Sequence, residues 1–293
     1  MRVLISGASG LLGRALCAAA PAAWQMVPLK RGQGEGPVWD PATGRIDLGT
    51  DSAFDAVIHL AGENIAGGRW TAARKERIRA SRVDGTRLLA RALAGLDTPP
   101  KVLACASAVG VYGDRGDEEL DESAAPGSGF LSEVGTAWEE AAEPAGTAGI
   151  RVAHMRLGMV LAREGGALAR MLTPFRLGVG GRLGSGRQYM SWVCIQDAVN
   201  AFVHVIRDAS LAGPFNLVAP EPVRNAAFTR ALGLALGRPT LLPVPAWGLR
   251  LAVGQMAGPL LLASTRAVPR RLQEAGFGFA QPQLEGALEA VLG

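Results

Sequence analysis

Three glycines, Gly7, Gly10 and Gly13, recur every third residue in MRVLISGASGLLGRAL, directly behind a short apolar run. In a strand-to-helix turn this spacing lets the chain reverse tightly and lets a diphosphate approach with no Cβ in its way. It also turns the first amides of the helix toward the anion. The motif lies at the first strand-helix turn, the context that dinucleotide binding requires. The end of the second strand then selects the dinucleotide. NAD sites place a carboxylate there for the ribose 2′-hydroxyl, whereas PLKRGQ puts Lys30 and Arg31 in that place. Two cations suit a 2′-phosphate, so the sequence predicts NADP(H) as cofactor.

The elements that must position these groups follow from the hydrophobic pattern. VLIS (3–6), QMVPL (25–29), DAVIHLAG (55–62), KVLACAS (101–107) and RVAHMRLG (151–158) are continuous apolar runs. Such runs mark strands covered on both faces rather than on one. Helical patterns separate them: GRALCAAA, a charged helix from about Thr71 to Ala94, and one around Phe130 to Ala145. The fold class is therefore α/β, a Rossmann-type doubly wound parallel sheet.

Beyond Leu161, PFRLGVGGRLGSGRQ (174–188) carries too many glycines for a regular helix and reads as irregular chain over a ligand cleft. A helix (196–208) and a strand (213–219) rejoin the sheet, and Pro-punctuated helices after Pro220 form a smaller, mainly helical C-terminal unit. The expected division is a cofactor-binding part, 1–165 with 192–219, and a substrate-binding part, 166–191 with 220–293.

Composition narrows the function classes. A chain of 293 residues with 48% hydrophobic content can bury a large core. The formal charge is +4, but Arg is interleaved with Asp and Glu, as in ARKERIRASRVDGTR (73–87), which is not a nucleic-acid footprint. Cys17, Cys105 and Cys194 are odd in number and set among apolar residues, so they are expected as buried thiols of a reducing compartment, the cytoplasm. WGLRLAVGQMAGPLLLA (247–263) contains Arg250, Gln255 and Pro259 and is too short for a membrane span, which predicts a buried helix instead. His59, His154 and His204 sit in apolar elements without metal-ligand spacing.

GASGLLG, HLAG (59–62), SRVDGTRLL (81–89), SAVGVYGD (107–114) and RLGMVL (156–161), in this order, resemble the extended short-chain dehydrogenase/reductases. AGENIAGGRW (61–70), PFRLGVGGRLGSGRQYMSW (174–192), GPFNLVAPEPVRN (213–225) and PRRLQEAGFGF (269–279) are similar to their atypical branch of epimerase-like proteins. The resemblance implies an NADP(H)-binding Rossmann domain and a smaller substrate domain, and the expected substrate is small and polar, with nucleotide-linked compounds one option. It implies cofactor contacts from Gly7, Ser9, Gly10, Leu11, Leu12 and Gly13, from Lys30 and Arg31, from Leu60, Ala61 and Gly62, and from Arg82 and Leu157. It further implies a homodimer through the helices at about 71–94 and 130–145.

The usual chemistry of that family needs a Tyr-x-x-x-Lys pair and a Ser. Here Tyr112 and Tyr189 are followed four residues later by Gly116 and Val193, and by the match of FLSEVGTAWEE (130–140) the family's Tyr and Lys positions fall near Leu131 and Gly135. Ala108 takes the usual Ser position, with Ser107 one residue earlier. The remaining catalytic candidates are Tyr112 as proton donor, Glu63 as acid or base, and Ser107; Arg187, Gln188 and Tyr189 are the candidates for holding substrate. Two functions stay open: an NADP(H)-dependent oxidoreductase or epimerase-like enzyme, and a catalytically inactive NADP(H) sensor.

Overall fold

The computed structural model describes all 293 residues, Met1–Gly293. Its centre is an eight-stranded sheet. In chain order the strands are β1 (Arg2–Ser6), β2 (Gln25–Arg31), β3 (Val38–Asp40), β4 (Arg45–Asp47), β5 (Ala56–His59), β6 (Val102–Ala108), β7 (Arg151–Leu157) and, after a separate parallel pair of β8 (Met159–Leu161) and β9 (Trp192–Cys194), β10 (Gly213–Leu217). Across the sheet the order is β10-β7-β6-β5-β1-β2-β3-β4, parallel except for the final β3–β4 hairpin. The order reverses direction at β1, where a doubly wound sheet opens its crevice.

Alternate residues of the strands feed two cores. Val3, Ile5, Ala56 and Ile58 pack against helices α1 (Leu11–Ala19) and α6 (Ile195–Arg207). Leu4, Val57 and Leu103 pack on the other face against α2 (Ala72–Ala94) and α4 (Glu143–Thr147). Gly85 of α2 leaves room for the Trp39 ring, which an added Cβ would meet at 3.5 Å. A third core joins α5 (Gly166–Arg176), α7 (Asn225–Ala235) and α10 (Leu284–Leu292) beneath β8 and β9. The remaining helices are α3 (Phe130–Glu140), α8 (Ala246–Val253) and α9 (Arg270–Glu274).

The doubly wound sheet and the helical C-terminal region are as expected, but four local expectations need correction and one hairpin is added. The helix expected over 130–145 is two helices, α3 and α4. The irregular stretch begins at 177, because α5 runs through Pro174 on the strength of Leu168, Leu172 and Phe175 buried on one face. The hairpin β3–β4 was not anticipated, its strands being three residues each. Residues 247–263 are α8, a 3₁₀ turn and a π turn, and Trp247 and Leu251 are 71% and 72% exposed rather than buried. Cys17 is exposed, on the solvent side of α1, whereas Cys105 and Cys194 are buried. No helix is long and apolar enough to cross a membrane.

Two polar ties fasten the C-terminal region to the sheet. Arg271 of α9 donates from Nη1 to the carbonyl of Pro214 and from Nη2 to that of Ala212, each at 2.7 Å. Asp197 of α6, fully buried, accepts the amides of Ala280 at 2.7 Å and Gln281 at 2.9 Å. Removing its carboxylate strands two amides, each costing about 1–3 kcal/mol. Asp197→Ala is therefore expected to lower unfolding free energy by about 2–5 kcal/mol in urea titrations; a change under about 0.5 kcal/mol would show that the tie is not structural.

Candidate functional site: the crevice at the exits of β1, β5 and β2

β1 leaves the sheet at Ser6 into Gly7, whose φ of +71° is open to glycine. A Cβ on Gly7 would stand 2.9 Å from the Ala61 nitrogen, and one on Gly13 would stand 2.2 Å from the Gly7 oxygen. These two glycines are demanded by close packing of protein on protein. Gly10 differs: its Cβ would meet only the Gly7 oxygen, at 3.2 Å, so its open side faces outward. Gly10 caps α1 with no side-chain acceptor, and the first helical bond runs from the Arg14 amide to the Gly10 carbonyl at 2.9 Å. The amides of Leu11, Leu12 and Gly13 precede that bond and are left for an anion. A dinucleotide diphosphate fits this turn. Of the neighbouring candidates, Ser9 is exposed, Leu11 and Leu157 are half-buried, and the Leu12 side chain is in the core, leaving only its backbone available.

The second wall is the turn after β5. The amides of Leu60 and Ala61 donate to Ser6 Oγ at 3.2 and 3.3 Å, so the Ser6 proton goes to His59 Nδ1 at 2.6 Å. That leaves His59 Nε2 to donate to Thr86 Oγ1 at 3.0 Å, which also accepts from Trp138 Nε1 at 2.9 Å. Burial pushes the His59 pKa down to about 4, which keeps the ring neutral in this chain of bonds. Ala61 is buried, Leu60 half-buried and Gly62 exposed at the rim. On the far side of β1, Lys30 and Arg31 end β2, both exposed and neither within ion-pair distance of a carboxylate.

Two of the catalytic candidates are committed elsewhere. Ser107 is buried and donates to Glu139 Oε1 at 2.6 Å. Glu139 accepts Arg156 Nε and Nη2, both at 2.8 Å, and Arg156 Nη1 donates to the Tyr112 hydroxyl at 2.8 Å. Tyr112 in turn donates to Asn216 Oδ1 at 2.7 Å and has no exposed surface. Tyr112, read from sequence as the proton donor, thus has its hydroxyl bonded within a buried network, and burial raises its pKa. Glu63 remains accessible beside the crevice, its side chain 34% exposed and its Oε1 3.5 Å from Arg74 Nη1. At the family's Tyr and Lys positions, Leu131 packs against Gly110, and a Cβ on Gly135 would already touch the Val111 Cβ at 3.1 Å. Phe130 and Leu131 join Trp70, Ile78 and Met256 in an apolar cluster there.

The substrate candidates separate by role. Arg187 is exposed and Gln188 is buried, and both line a cavity of about 420 Å³ with Asp117, Ser185, Arg224, Arg250 and Ser264. Gln188 donates to the carbonyls of Leu183 at 3.1 Å and Leu261 at 3.0 Å, bracing the wall. Tyr189 stands behind it, its ring flanked by the guanidinium of Arg224 at 4.6 Å and that of Arg266 at 5.3 Å. Arg224, Arg250 and Asp117 were not anticipated from sequence; Arg224 carried a signal as a charge just before the α7 apolar pattern. Arg156 carried a stronger one, as a charge inside a buried strand that must find a partner.

Sheet order, glycine turn and crevice together define a nucleotide-binding doubly wound α/β protein. The chain belongs to the NAD dependent epimerase/dehydratase family, whose model matches residues 3–217; residues 244–291 match a domain of unknown function, DUF1731. It is 43% identical over 290 residues to an epimerase family protein of Mycobacterium bovis, covering 98% of this chain and 96% of the relative. A crystal structure of human epimerase family protein SDR39U1 with NADPH superimposes at a TM-score of 0.90 with 34% identity, over 99% of each chain. A nucleoside-diphosphate sugar epimerase structure from Corynebacterium glutamicum is also 34% identical, at a TM-score of 0.81, covering 100% of this chain and 58% of that one.

Two measurements probe this site. Gly13→Ala is expected to unfold the turn and lower the melting temperature sharply, whereas Gly10→Ala leaves it nearly unchanged; equal melting temperatures for the two variants would contradict the packing described. The second concerns pH. Burial opposes the Glu139 charge, but the paired Arg156 guanidinium outweighs it and holds the carboxyl below the usual carboxylate range. A carboxyl lowered on folding adds stability above its unfolded pKa of about 4.3, and this is lost as pH falls through the folded value. Glu139→Gln is expected to cost about 3–5 kcal/mol at neutral pH, because Arg156 loses its buried partner, and to flatten the decline in stability below about pH 4. An unchanged acid limb in urea titrations would show that Glu139 is not responsible for it.

Proposed function

We propose that the protein binds NADP(H) in the crevice through residues 1–165 with 192–219 and brings a small, polar, anionic substrate to it through residues 166–191 with 220–293. The observation that carries the cofactor assignment is the pair Lys30 and Arg31, exposed and free of carboxylates at the end of β2. The human relative crystallised with NADPH supports it. The cavity lined by Arg187, Arg224 and Arg250 against the single carboxylate of Asp117 favours a substrate bearing phosphate or carboxylate, nucleotide-linked substrates among them.

Hydride transfer is the chemistry NADP(H) supplies when bound. The protein's own part is to orient the reacting carbon and to exchange a proton, and Glu63 is the accessible carboxyl assigned to that exchange. A second reading, an NADP(H) sensor without turnover, is favoured by Leu131 and Gly135 and by the commitment of Ser107 and Tyr112 to the buried network. Screening nucleotide sugars and small carbonyl acids for NADPH oxidation separates the two: turnover of any of them supports the enzyme, and none despite tight NADPH binding supports the sensor.

The cofactor assignment has its own test. Calorimetric titration is expected to give tighter binding of NADPH than of NADH by about 1–3 kcal/mol, a charge-assisted contact, with Arg31→Ala removing most of the difference. Equal affinities in the unaltered protein would overturn it.

A further inference from the structure

Charge is spread unevenly along the chain. No Asp or Glu lies between Glu164 and Asp197 or between Glu221 and Glu274, whereas the first interval holds four arginines and the second seven. Since the whole chain carries only +4, the remaining residues are net negative. The two intervals supply α5, the loop after it, α7 and α8, so the positive charge is gathered in the C-terminal region. Some of it is matched from outside, Arg224 by Asp117 and Arg266 by Glu119. Arg176, Arg230, Arg238 and Arg250 are exposed, with no carboxylate within ion-pair distance.

Exposed apolar side chains gather in the same intervals: apart from Met1, every exposed large one lies there. Leu177 and Val179 are in the loop after α5, Leu234 is in the last turn of α7, Leu241 and Leu242 precede α8, and Trp247 and Leu251 stand one turn apart on α8. These segments are neighbours. A Cβ on Gly181 would strike the Leu242 carbonyl, and one on Gly233 the Thr240 side chain. The Val244 amide donates to the Arg182 carbonyl at 2.8 Å. Leu241, 85% exposed, stands almost clear of the protein, so cover for this border has to come from outside the chain.

The chemistry of the border selects its occupant. A second copy meeting it face to face would set two arginine-rich, acid-free surfaces against each other. Nucleic acid would answer the arginines but not the leucines. A bilayer with anionic headgroups answers both, because Trp and Leu settle at the boundary of headgroups and acyl chains while guanidinium groups meet lipid phosphates.

We propose that this border is a peripheral docking surface for an anionic phospholipid bilayer. Leu241, Leu242, Trp247 and Leu251 enter the headgroup layer, and Arg176, Arg238 and Arg250 meet the phosphates. No helix crosses the bilayer in this arrangement. Docked α8 stays fastened to the crevice, because Arg69, in the loop after β5, donates from Nη2 to the carbonyls of Leu251 at 2.6 Å and Ala252 at 3.1 Å. The inference stands independently of the cofactor reading.

Vesicle co-sedimentation tests it. Vesicles of phosphatidylcholine with about one third phosphatidylglycerol are expected to bind the unaltered protein about tenfold or more tightly than vesicles of phosphatidylcholine alone. Leu241→Ser with Trp247→Ser is expected to weaken that binding about tenfold or more, and Arg176→Gln with Arg238→Gln about fivefold. All four side chains are exposed, and melting curves establish that the variants fold. Trp247, the one exposed tryptophan, gives a second readout: emission is expected to shift to the blue on the anionic vesicles, and the shift to vanish in Trp247→Phe. Absence of binding to the anionic vesicles would overturn the proposal, as would equal binding by the unaltered protein and the Leu241→Ser, Trp247→Ser variant. A dimer that forms without lipid and is lost in that variant would also overturn it and give the surface to a second copy.

Discussion

The architecture of the crevice depends on one close approach. The Gly7 backbone lies so near the Leu60–Ala61 peptide that a Cβ would sit 2.9 Å from it, and Ser6 Oγ ties the two turns by accepting both of those amides. Because β1 and β5 are adjacent and parallel, this contact draws their exits into a single rim. Every candidate cofactor group is placed with respect to that rim: the α1 amides above it, the β2 cations on one side, Gly62 and Arg82 on the other. His59, neutral and fully bonded, carries the same constraint down to Thr86 and Trp138, so α2 and α3 are locked to the crevice floor.

A second principle is the exchange of chemistry for packing at the head of α3. Near the positions where the resemblance places Tyr and Lys stand Leu131 and Gly135, and both are packed against apolar neighbours. Gly135 admits Val111, while Leu131 and Phe130 sit under Trp70 and Met256. The polar residues nearby form the Ser107–Glu139–Arg156–Tyr112–Asn216 chain. That network joins β6, α3, β7 and β10, and its charges are matched, so it serves cohesion.

The frame was readable in the sequence because it rests on local, repetitive signals. Continuous apolar runs identify the parallel strands, and the glycine spacing identifies the first turn. Features held by distant partners were not readable. The β3–β4 strands are three residues long and gain their order from pairing alone, and α5 survives Pro174 because three apolar side chains find a core contributed by α7 and α10. Tyr112 looked available because its place near a strand end is a local property, whereas its partners Arg156 and Asn216 are 44 and 104 residues away. The cavity arginines escaped for the same reason: Arg187, Arg224 and Arg250 converge only once the loop after α5, the start of α7 and α8 are side by side.

The bonds from Arg271 to the carbonyls of Ala212 and Pro214 reach further than fastening α9. β10 is the outermost strand of the sheet on that side, and an outermost strand offers unpaired backbone groups to any neighbouring chain. The guanidinium occupies two of those carbonyls, and the Phe215 ring lies 4.3 Å beneath it. At the opposite margin the short β3–β4 hairpin ends the sheet with Arg45 and Asp47. Both margins are thus blunted, one by a folded-back segment and the other by brevity and charge. The C-terminal region thereby covers part of an open sheet margin, a structural contribution separate from any ligand it holds.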